Sequence, residues 1–213
     1  MTAARGSFIV LEGIDGAGTS TQLELVARAL EARGLAVHRT AEPSTGPVGN
    51  LIRQYLRKEL PVPAAWDTMA LLFAADRLDH VAREIEPLLA RGSWVISDRY
   101  DLSSLAYQSA TAPNARVVSW IRELNSRALR PDLTVIVDVP ADAAAARRGA
   151  RGGREELYER DELQARLAEI YAQGEALVPG DSVRHVSGLG APAEVTARVL
   201  AVVDAALRTP SPP

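Results

Sequence analysis

The chain has 213 residues, a formal net charge of −3, 47% hydrophobic residues and 24% charged residues. This length and composition are typical of one globular domain with a substantial core. The near-neutral charge argues against a general nucleic-acid-binding protein, and the lack of cysteine excludes a disulfide framework, an iron–sulfur cluster and a thiolate zinc site. Without a signal-peptide pattern or an apolar run near the ~20 residues of a membrane span, we expect a soluble cytoplasmic protein with no membrane partner.

Short apolar segments alternate with longer helical patterns along the chain. The first predicted strand covers residues 8–12 and is followed by a helix at 20–33, a strand at 35–40 and a long helix at 65–90. Strands at 94–97, 133–139 and 183–187 and a helix at 195–207 complete the series. Such alternation predicts βαβ units in a three-layer α/β/α fold with a five-stranded parallel sheet, whose ligands bind at the carboxyl ends of the strands.

Two segments depart from this pattern. Residues 141–160 combine alanines, glycines and several arginines, and are interpreted either as a mobile arm that folds over a ligand or as a solvated loop. Residues 209–213 are proline-rich and are predicted to be disordered. We therefore expect one domain over residues 1–208, with the arm, called the lid below, at about 141–160.

The basic residues are almost all arginine. Lysine and arginine together number 24, and Lys58 is the only lysine. A mechanism that requires a positive charge elsewhere in the chain must therefore obtain it from arginine. The histidines are scattered at positions 38, 80 and 185, which argues against a histidine-rich metal site.

A glycine-rich segment separates the first strand from the first helix. It reads Gly13-Ile14-Asp15-Gly16-Ala17-Gly18-Thr19-Ser20 and is followed by Thr21. The spacing nearly matches GxxxxGK[ST], in which backbone N–H groups surround a phosphate at a helix N-terminus. Ser20 occupies the position of the hydroxyl that binds Mg²⁺, but Thr19 occupies the position of the lysine. The alternative is a glycine-rich turn without function, and the flanking strand and helix favour phosphate binding over it.

A second motif, Ser97-Asp98-Arg99-Tyr100, follows the strand at 94–97. An acid at the carboxyl end of a strand beside a phosphate loop is placed to hold Mg²⁺, directly or through water. The arginine next to it could bind a phosphate through two parallel hydrogen bonds. The alternative is a surface turn with an ion pair.

The two motifs, in this order and about 80 residues apart, resemble the thymidylate kinase family, which transfers phosphate from ATP to dTMP. Further matching segments extend over most of the chain: Glu42-Pro43, LLFAADR at 71–77, DRYDLSSLAYQ at 98–108, PDLTVIVDV at 131–139 and LYERDELQ at 157–164. The resemblance implies a P-loop kinase fold with an arginine-rich lid, ATP as phosphoryl donor, Mg²⁺ as cofactor, dTMP as acceptor, and a homodimer.

The resemblance also implies roles for individual residues. Arg99 would hold the dTMP phosphate and act in catalysis with Asp15, which together with Glu12 would face the gap between donor and acceptor. Phe73 and Arg77 lie one helical turn apart and would stack on the thymine ring and hydrogen-bond to its edge. Taken by itself, Phe73 is more simply interpreted as a core residue. Its spacing from Arg77 together with the resemblance favours a contact with the base.

Other acceptor contacts are implied after the second motif. Ser104 and Gln108 would address the base, and the bulk of Tyr107 near the sugar 2′ position would disfavour ribonucleotides. Tyr158 and Glu159 would close over the nucleoside.

The second strand departs from the family pattern. The family sequence Arg-Glu-Pro-Gly-Gly is replaced here by Ala41-Glu42-Pro43-Ser44-Thr45. Glu42 and Arg53 stay as predicted acceptor contacts.

Because Thr19 carries no charge, the positive group on the donor phosphates must come from elsewhere. Lid arginines are the candidates, with Arg151 and Arg154 preferred as catalytic residues over Arg147 and Arg148; otherwise all four belong to a solvated cationic loop. Two further interpretations stay open: a nucleotide-binding protein with little or no kinase activity, and a kinase for another deoxynucleoside or monophosphate. The joint presence of the acceptor-side residues favours an active dTMP kinase.

Overall fold

The computed structural model describes residues 5–61, 65–111, 117–151 and 157–207, and residue 151 by its backbone only. The strands are β1 (Phe8–Glu12), β2 (Val37–Ala41), β3 (Trp94–Asp98), β4 (Leu133–Asp138) and β5 (Val183–Ser187). They form one sheet in the order β2-β3-β1-β4-β5, with parallel pairing throughout. Parallel neighbours require crossover connections, and helices fill them.

The helices of the described ranges are α1 (Thr19–Ala32), α2 (Pro47–Leu56), α3 (Trp66–His80), α4 (Glu86–Ala90), α5 (Asp101–Thr111), α6 (Val117–Leu124), α7 (Ala141–Arg151), α8 (Asp161–Tyr171), α9 (Gly174–Leu177) and α10 (Pro192–Ala206). A π-helical turn, Val81–Ile85, joins α3 to α4. The predicted helix at 65–90 is therefore one helical run of three segments.

Alternate side chains of β1 face opposite helical layers. Phe8 and Val10 pack with the π-helical turn and α4, whereas Ile9 and Leu11 belong to a larger cluster with residues of α1 and α10. A strand with two apolar faces is stable only between two layers of helices. The predicted three-layer α/β/α fold with a five-stranded parallel sheet is confirmed.

One strand begins later than predicted. Gly34 has a φ of 84°, and the N–H of Leu35 donates to the carbonyl of Leu30, so Leu35 is still tied to the end of α1. The second strand therefore runs from Val37 to Ala41 rather than over residues 35–40.

The first part of the lid is a helix rather than a loop. Residues 141–151 form α7, because alanines have the highest helix propensity and Ala144 is fully buried. The predicted catalytic residue Arg154, the side chain of Arg151 and the tail at 209–213 lie outside the described residues. Within those residues, no helix has the length and hydrophobicity that a membrane crossing requires.

Candidate active site

Three predicted motifs meet at the carboxyl edge of the sheet. Asp98 at the end of β3 pairs with Leu11 of β1 on one side and Ala41 of β2 on the other. The phosphate loop leaves β1, the chain to Arg99 leaves β3, and Glu42 follows β2. Adjacent parallel strands thus deliver the motifs to one place, where sheets of this kind bind ligands.

The phosphate loop borders a cavity of about 370 Å³. Gly16 and Gly18 have φ values of 93° and 97°, and a Cβ at Gly16 would lie 2.5 Å from the carbonyl oxygen of Ala144 in α7. Glycine is therefore required where the loop passes this helix. The cavity is lined by Ile14, Asp15, Gly16, Gly18, Thr19, Ser20, Thr21, Asp98, Arg99, Arg147 and Arg148. Of the other loop residues, Ala17 is buried and Gly13 offers its carbonyl to Arg99.

The start of α1 presents free backbone N–H groups beside this cavity. Gly18 is the residue before the helix, and Thr19, Ser20 and Thr21 form its first turn. The N–H groups of a first turn have no partner within the helix and favour an anion. The loop therefore has the geometry of a phosphate site.

Ser20 and Asp98 form a pair at the edge of the cavity. The Ser20 hydroxyl donates to Asp98 Oδ2. The other oxygen, Oδ1, is buried and has no hydrogen-bond partner in the described part of the chain. A hydroxyl and a carboxylate oxygen fit Mg²⁺, which takes one or two carboxylates and completes its shell with phosphate oxygens and water. The described residues contain no group of three or more His, Cys, Asp or Glu side chains that could hold a metal ion.

The position of the missing lysine carries no cation. Thr19 is buried, and Lys58 is exposed in the turn after α2 and lines neither this cavity nor the second one described below. Two arginines of α7 reach the loop instead. Arg147 donates to the carbonyls of Ala17, at 3.2 Å, and Gly188, at 2.9 Å.

Arg148 lies on the same loop. Its Nη1 donates to the carbonyl of Asp15 at 2.6 Å, and its Nη2 to the exposed carboxylate of Asp161 at 2.5 Å. The two lid arginines that sequence analysis ranked lower are therefore the ones whose described side chains contact the phosphate loop.

Arg99 bridges the phosphate loop and the second motif. Its backbone is left-handed, with φ 73°, which turns the side chain back over the loop. Nη2 donates to Asp15 Oδ1 at 2.5 Å, and Nη1 to the carbonyl of Gly13 at 3.0 Å and to Ser103 Oγ at 3.1 Å. The guanidinium is thereby fixed from both sides.

Gln164 of α8 is a site residue that sequence analysis missed. Its Oε1 accepts the Asp15 N–H and its Nε2 donates to Asp15 Oδ2, each at 2.8 Å. The Gln164 side chain is fully buried. One amide therefore holds both the backbone and the carboxylate of Asp15.

Glu12 is the buried acid behind Arg99. It accepts hydrogen bonds from the N–H groups of Tyr100 and Ser103, from the Ser103 hydroxyl at 2.6 Å and from the Tyr171 hydroxyl at 2.9 Å. Burial raises the pKa of Glu12 to about 7, although the charge of Arg99 and these hydrogen bonds lower it. Tyr171, also missed, lies seven residues after Gln164, and that spacing on one helix face is the signal that sequence analysis could have used.

A second cavity, of about 180 Å³, lies beyond Arg99. It is lined by Asp15, Glu42, Pro43, Arg53, Leu56, Arg57, Phe73, Arg77, Arg99, Tyr100, Ser103, Ser104, Tyr107, Gln108, Tyr158 and Glu159. Every residue predicted to contact the acceptor is in this set. Phe73 is only partly buried and lines the cavity, so it is not a plain core residue.

Arg77 forms the buried floor of this cavity and is 1% exposed. Its Nη2 lies 2.7 Å from Glu42 Oε2 and donates to Ser104 Oγ at 3.1 Å. Its Nη1 donates to Oδ1 of Asn125, a further residue that sequence analysis missed, at 2.5 Å. Arg53 lies at the rim and donates to the carbonyl of Pro43.

The walls of the second cavity are aromatic. The rings of Tyr107 and Tyr158 meet edge to face, with centroids 5.5 Å apart, and the Arg99 guanidinium lies 5.2 Å from the Tyr107 centroid. Gln108 Oε1 is buried and has no hydrogen-bond partner among the described residues. Aromatic walls with a few unsatisfied polar groups are typical of a pocket for a planar polar ligand.

Comparisons with known proteins agree with this geometry. The family model of thymidylate kinase matches residues 11–178. A probable thymidylate kinase of Pyrococcus horikoshii is 38% identical over 202 residues, which cover 93% of this chain and 96% of that protein. One of Pyrobaculum aerophilum is 45% identical over 165 residues, covering 78% and 81%. The structure of thymidylate kinase from Candida albicans is similar with a TM-score of 0.78 and 26% identity, over 96% of this chain and 93% of that one. The chain therefore belongs to the thymidylate kinase family and is a nucleoside monophosphate kinase.

Proposed function

We propose that this kinase transfers the γ-phosphoryl group of ATP to dTMP, giving ADP and dTDP, with Mg²⁺ as cofactor. The observation that carries the proposal is that Asp15 and Arg99 line both cavities. With ATP along the phosphate loop and dTMP in the second cavity, both reacting phosphates would meet at the Arg99 guanidinium. Positioning of this kind supplies most of the catalysis in phosphoryl transfer.

The residues divide the chemistry between them. A phosphate oxygen of dTMP attacks the γ-phosphorus while the bond to the β-phosphate oxygen of ATP breaks. Arg99 and the N–H groups at the start of α1 stabilise the negative charge on the transferred group. Mg²⁺, held by the Ser20 hydroxyl and the Asp98 carboxylate, would neutralise charge on the donor phosphates.

Arginines of the lid replace the lysine in this proposal. The side chains of Arg147 and Arg148 already lie on the phosphate loop, where they donate mainly to neutral carbonyls. Exchange of a carbonyl for a phosphate oxygen strengthens such a hydrogen bond, because the acceptor becomes charged. Arg151, the last residue of α7, and Arg154 stay candidates for direct contact with the transferred phosphate.

The second cavity supports the choice of acceptor. Phe73 and the Tyr107–Tyr158 pair offer apolar surface to a pyrimidine ring, while Arg77 and Gln108 offer polar atoms to its edge. Tyr107 would exclude a sugar 2′-hydroxyl by its bulk, since a hydroxyl buried without a partner costs free energy.

The test is a substrate comparison. Purified protein is given ATP and Mg²⁺ with dTMP, dUMP, UMP or thymidine in separate reactions, and ADP release is followed. We expect ADP with dTMP and much less with UMP. Absence of dTMP-dependent ADP would contradict the proposal, and preference for thymidine would indicate a nucleoside kinase.

We also propose that the chain is a cytoplasmic homodimer that packs through α3. Leu71 and Leu78, seven residues apart on this helix, are 49% and 37% exposed. That spacing puts both on one face, which a second copy could cover. Light scattering after size exclusion tests the proposal, and Leu71→Glu together with Leu78→Glu should give a monomer.

A further inference from the structure

Two rows of polar side chains face each other beneath the second cavity. Side chains of a strand alternate, so one face of β2 and its continuation carries the strand row of His38, Thr40 and Glu42. The opposite helical run, α3 with the π-helical turn, carries the helix row of Arg77, His80 and Glu84. Glu42 and Arg77 line the cavity, and the other four lie behind them.

His80 is the centre of this array and is 3% exposed. Its Nδ1 lies 3.3 Å from Glu42 Oε1, and its Nε2 lies 2.7 Å from the Thr40 hydroxyl oxygen. Glu42 in turn faces Arg77, with 2.7 Å between Oε2 and Nη2. His80 does not line the cavity itself, and its contact with Glu42 connects it to a residue that does.

The hydrogen-bond and ion-pair partners of His80 favour a proton on each of its ring nitrogens. The carboxylate of Glu42 can only accept, so Nδ1 donates. Nε2 lies 2.7 Å from the Thr40 hydroxyl oxygen and 3.7 Å from a carboxylate oxygen of Glu84, so a protonated Nε2 can donate to the hydroxyl and is attracted by the carboxylate. Glu84 Oε1 also lies 2.7 Å from His38 Nε2, and because both side chains are partly exposed, the array extends to the surface.

The charges around His80 also favour its protonated form. Two buried carboxylates, Glu42 and Asp76, act on His80 together with the partly exposed Glu84, and Arg77 is paired with Glu42. Burial alone would lower the pKa of His80. The hydrogen bond to Glu42 and the charges of Glu42, Glu84 and Asp76 outweigh it and raise the pKa above the ordinary 6.5.

We propose that His80 is a positioning residue for the acceptor: its imidazolium holds the Glu42 carboxylate against Arg77, so that both groups meet dTMP in a fixed geometry. The inference rests on the proposed function, because Glu42 and Arg77 contact the acceptor only if dTMP occupies the second cavity. As pH rises and His80 loses its proton, dTMP binding weakens. Transfer itself, which takes place at Arg99, changes little.

The first test needs no turnover. The chain has three histidines, so their ring nitrogens can be followed by ¹⁵N NMR, with the His80 signals assigned by their loss in His80→Gln. We expect both His80 nitrogens to be protonated at about pH 6 and the ring to lose a proton above the ordinary 6.5. A His80 that is neutral at about pH 6 overturns the inference.

The second test is dTMP binding by calorimetry, without ATP, between about pH 6 and about pH 9. His80→Gln should weaken binding about fivefold at the acid end and remove the further weakening that the wild type shows as His80 loses its proton, while kcat changes less than about twofold. The dTMP phosphate, with a second pKa of about 6, and Glu12 titrate in both proteins, so variant and wild type are compared at each pH. His185→Gln, on β5 and outside the array, is the matched control and should behave as wild type. Wild-type binding and pH dependence in His80→Gln would overturn the inference.

A surface variant decides the case if His80→Gln does not fold. Glu84 is partly exposed, and Glu84→Gln removes a charge that raises the pKa of His80. Both the NMR titration and the loss of dTMP binding should then move to lower pH, and the inference is wrong if neither moves. Absence of kinase activity with both titrations intact would contradict the proposed function and not this inference.

Discussion

The donor and acceptor halves of the site hold their arginines differently. In the acceptor half, Arg77 and Arg99 each face a carboxylate in a largely buried setting, at 2.7 and 2.5 Å. In the donor half, Arg147 donates to the neutral carbonyls of Ala17 and Gly188. A guanidinium loses less on leaving a carbonyl for a phosphate than on leaving a carboxylate.

This difference separates a preorganised region from an adaptable one. The acceptor half is preorganised, because carboxylates near the strand ends hold its arginines in place through ion pairs. The donor half keeps its positive charge on α7, where Arg147 donates to carbonyls and Arg148 pairs with the exposed carboxylate of Asp161. A lysine at position 19 would place a cation within the loop itself, whereas Arg147 and Arg148 reach the loop from α7.

The largest effect should come from substitution of Arg99, which lines both cavities. Arg99→Ala should lower kcat/KM for dTMP about 1,000-fold, because both reacting phosphates lose the same guanidinium. Steady-state kinetics with ADP release measures it. Arg83→Ala, whose side chain is 73% exposed, is the matched control and should stay within about twofold. A loss of less than about tenfold would show that the two reacting phosphates do not both depend on the Arg99 guanidinium.

Removal of the proposed metal ligand tests the donor half. Asp98→Asn should lower kcat about 100-fold and weaken the dependence of the rate on Mg²⁺, because the carboxylate charge is lost. Asp138→Asn is matched, since Asp138 also ends a strand of the sheet but pairs with His185. Equal effects of the two substitutions would argue against a metal role for Asp98.

Alanine substitutions in the lid show which arginine replaces the lysine. Changing Arg147, Arg148, Arg151 or Arg154 to alanine should cut kcat more than about tenfold for at least one of them and leave dTMP binding intact. Calorimetry with dTMP separates the two halves. If all four variants keep the full rate, the donor half obtains its charge elsewhere.

The smallest effect should follow restoration of the lysine. On the proposal that lid arginines supply the charge, Thr19→Lys should change kcat less than about threefold. The rate at saturating ATP and dTMP measures it. A large gain would mean that the lid does not supply the positive charge that the donor phosphates need, and the proposed difference between the two halves would then be wrong.

Local patterns predicted the sheet, and together with the family resemblance they named many of the residues that line the two cavities. Strand-like runs placed the sheet, and the loop at 13–20 and the motif at 97–100 lie where strand ends require. Residues 141–151 were harder, because glycines and arginines suggested a loop while the alanines, with Ala144 buried, made a helix. Roles for Arg151 and Arg154 stay predictions.

The sequence by itself determined the five strands, three of the helical regions and the phosphate loop, since these depend on neighbouring residues, and it showed the shortage of lysine directly. Tertiary structure alone decided the partners: Gln164 with Asp15, 149 positions away, and His80 with Glu42, 38 away. Such pairs are set by how helices pack against the sheet, and a buried polar side chain is identified only by the group that satisfies it. The same packing put Arg147 on the phosphate loop, where Thr19 leaves a charge to be supplied.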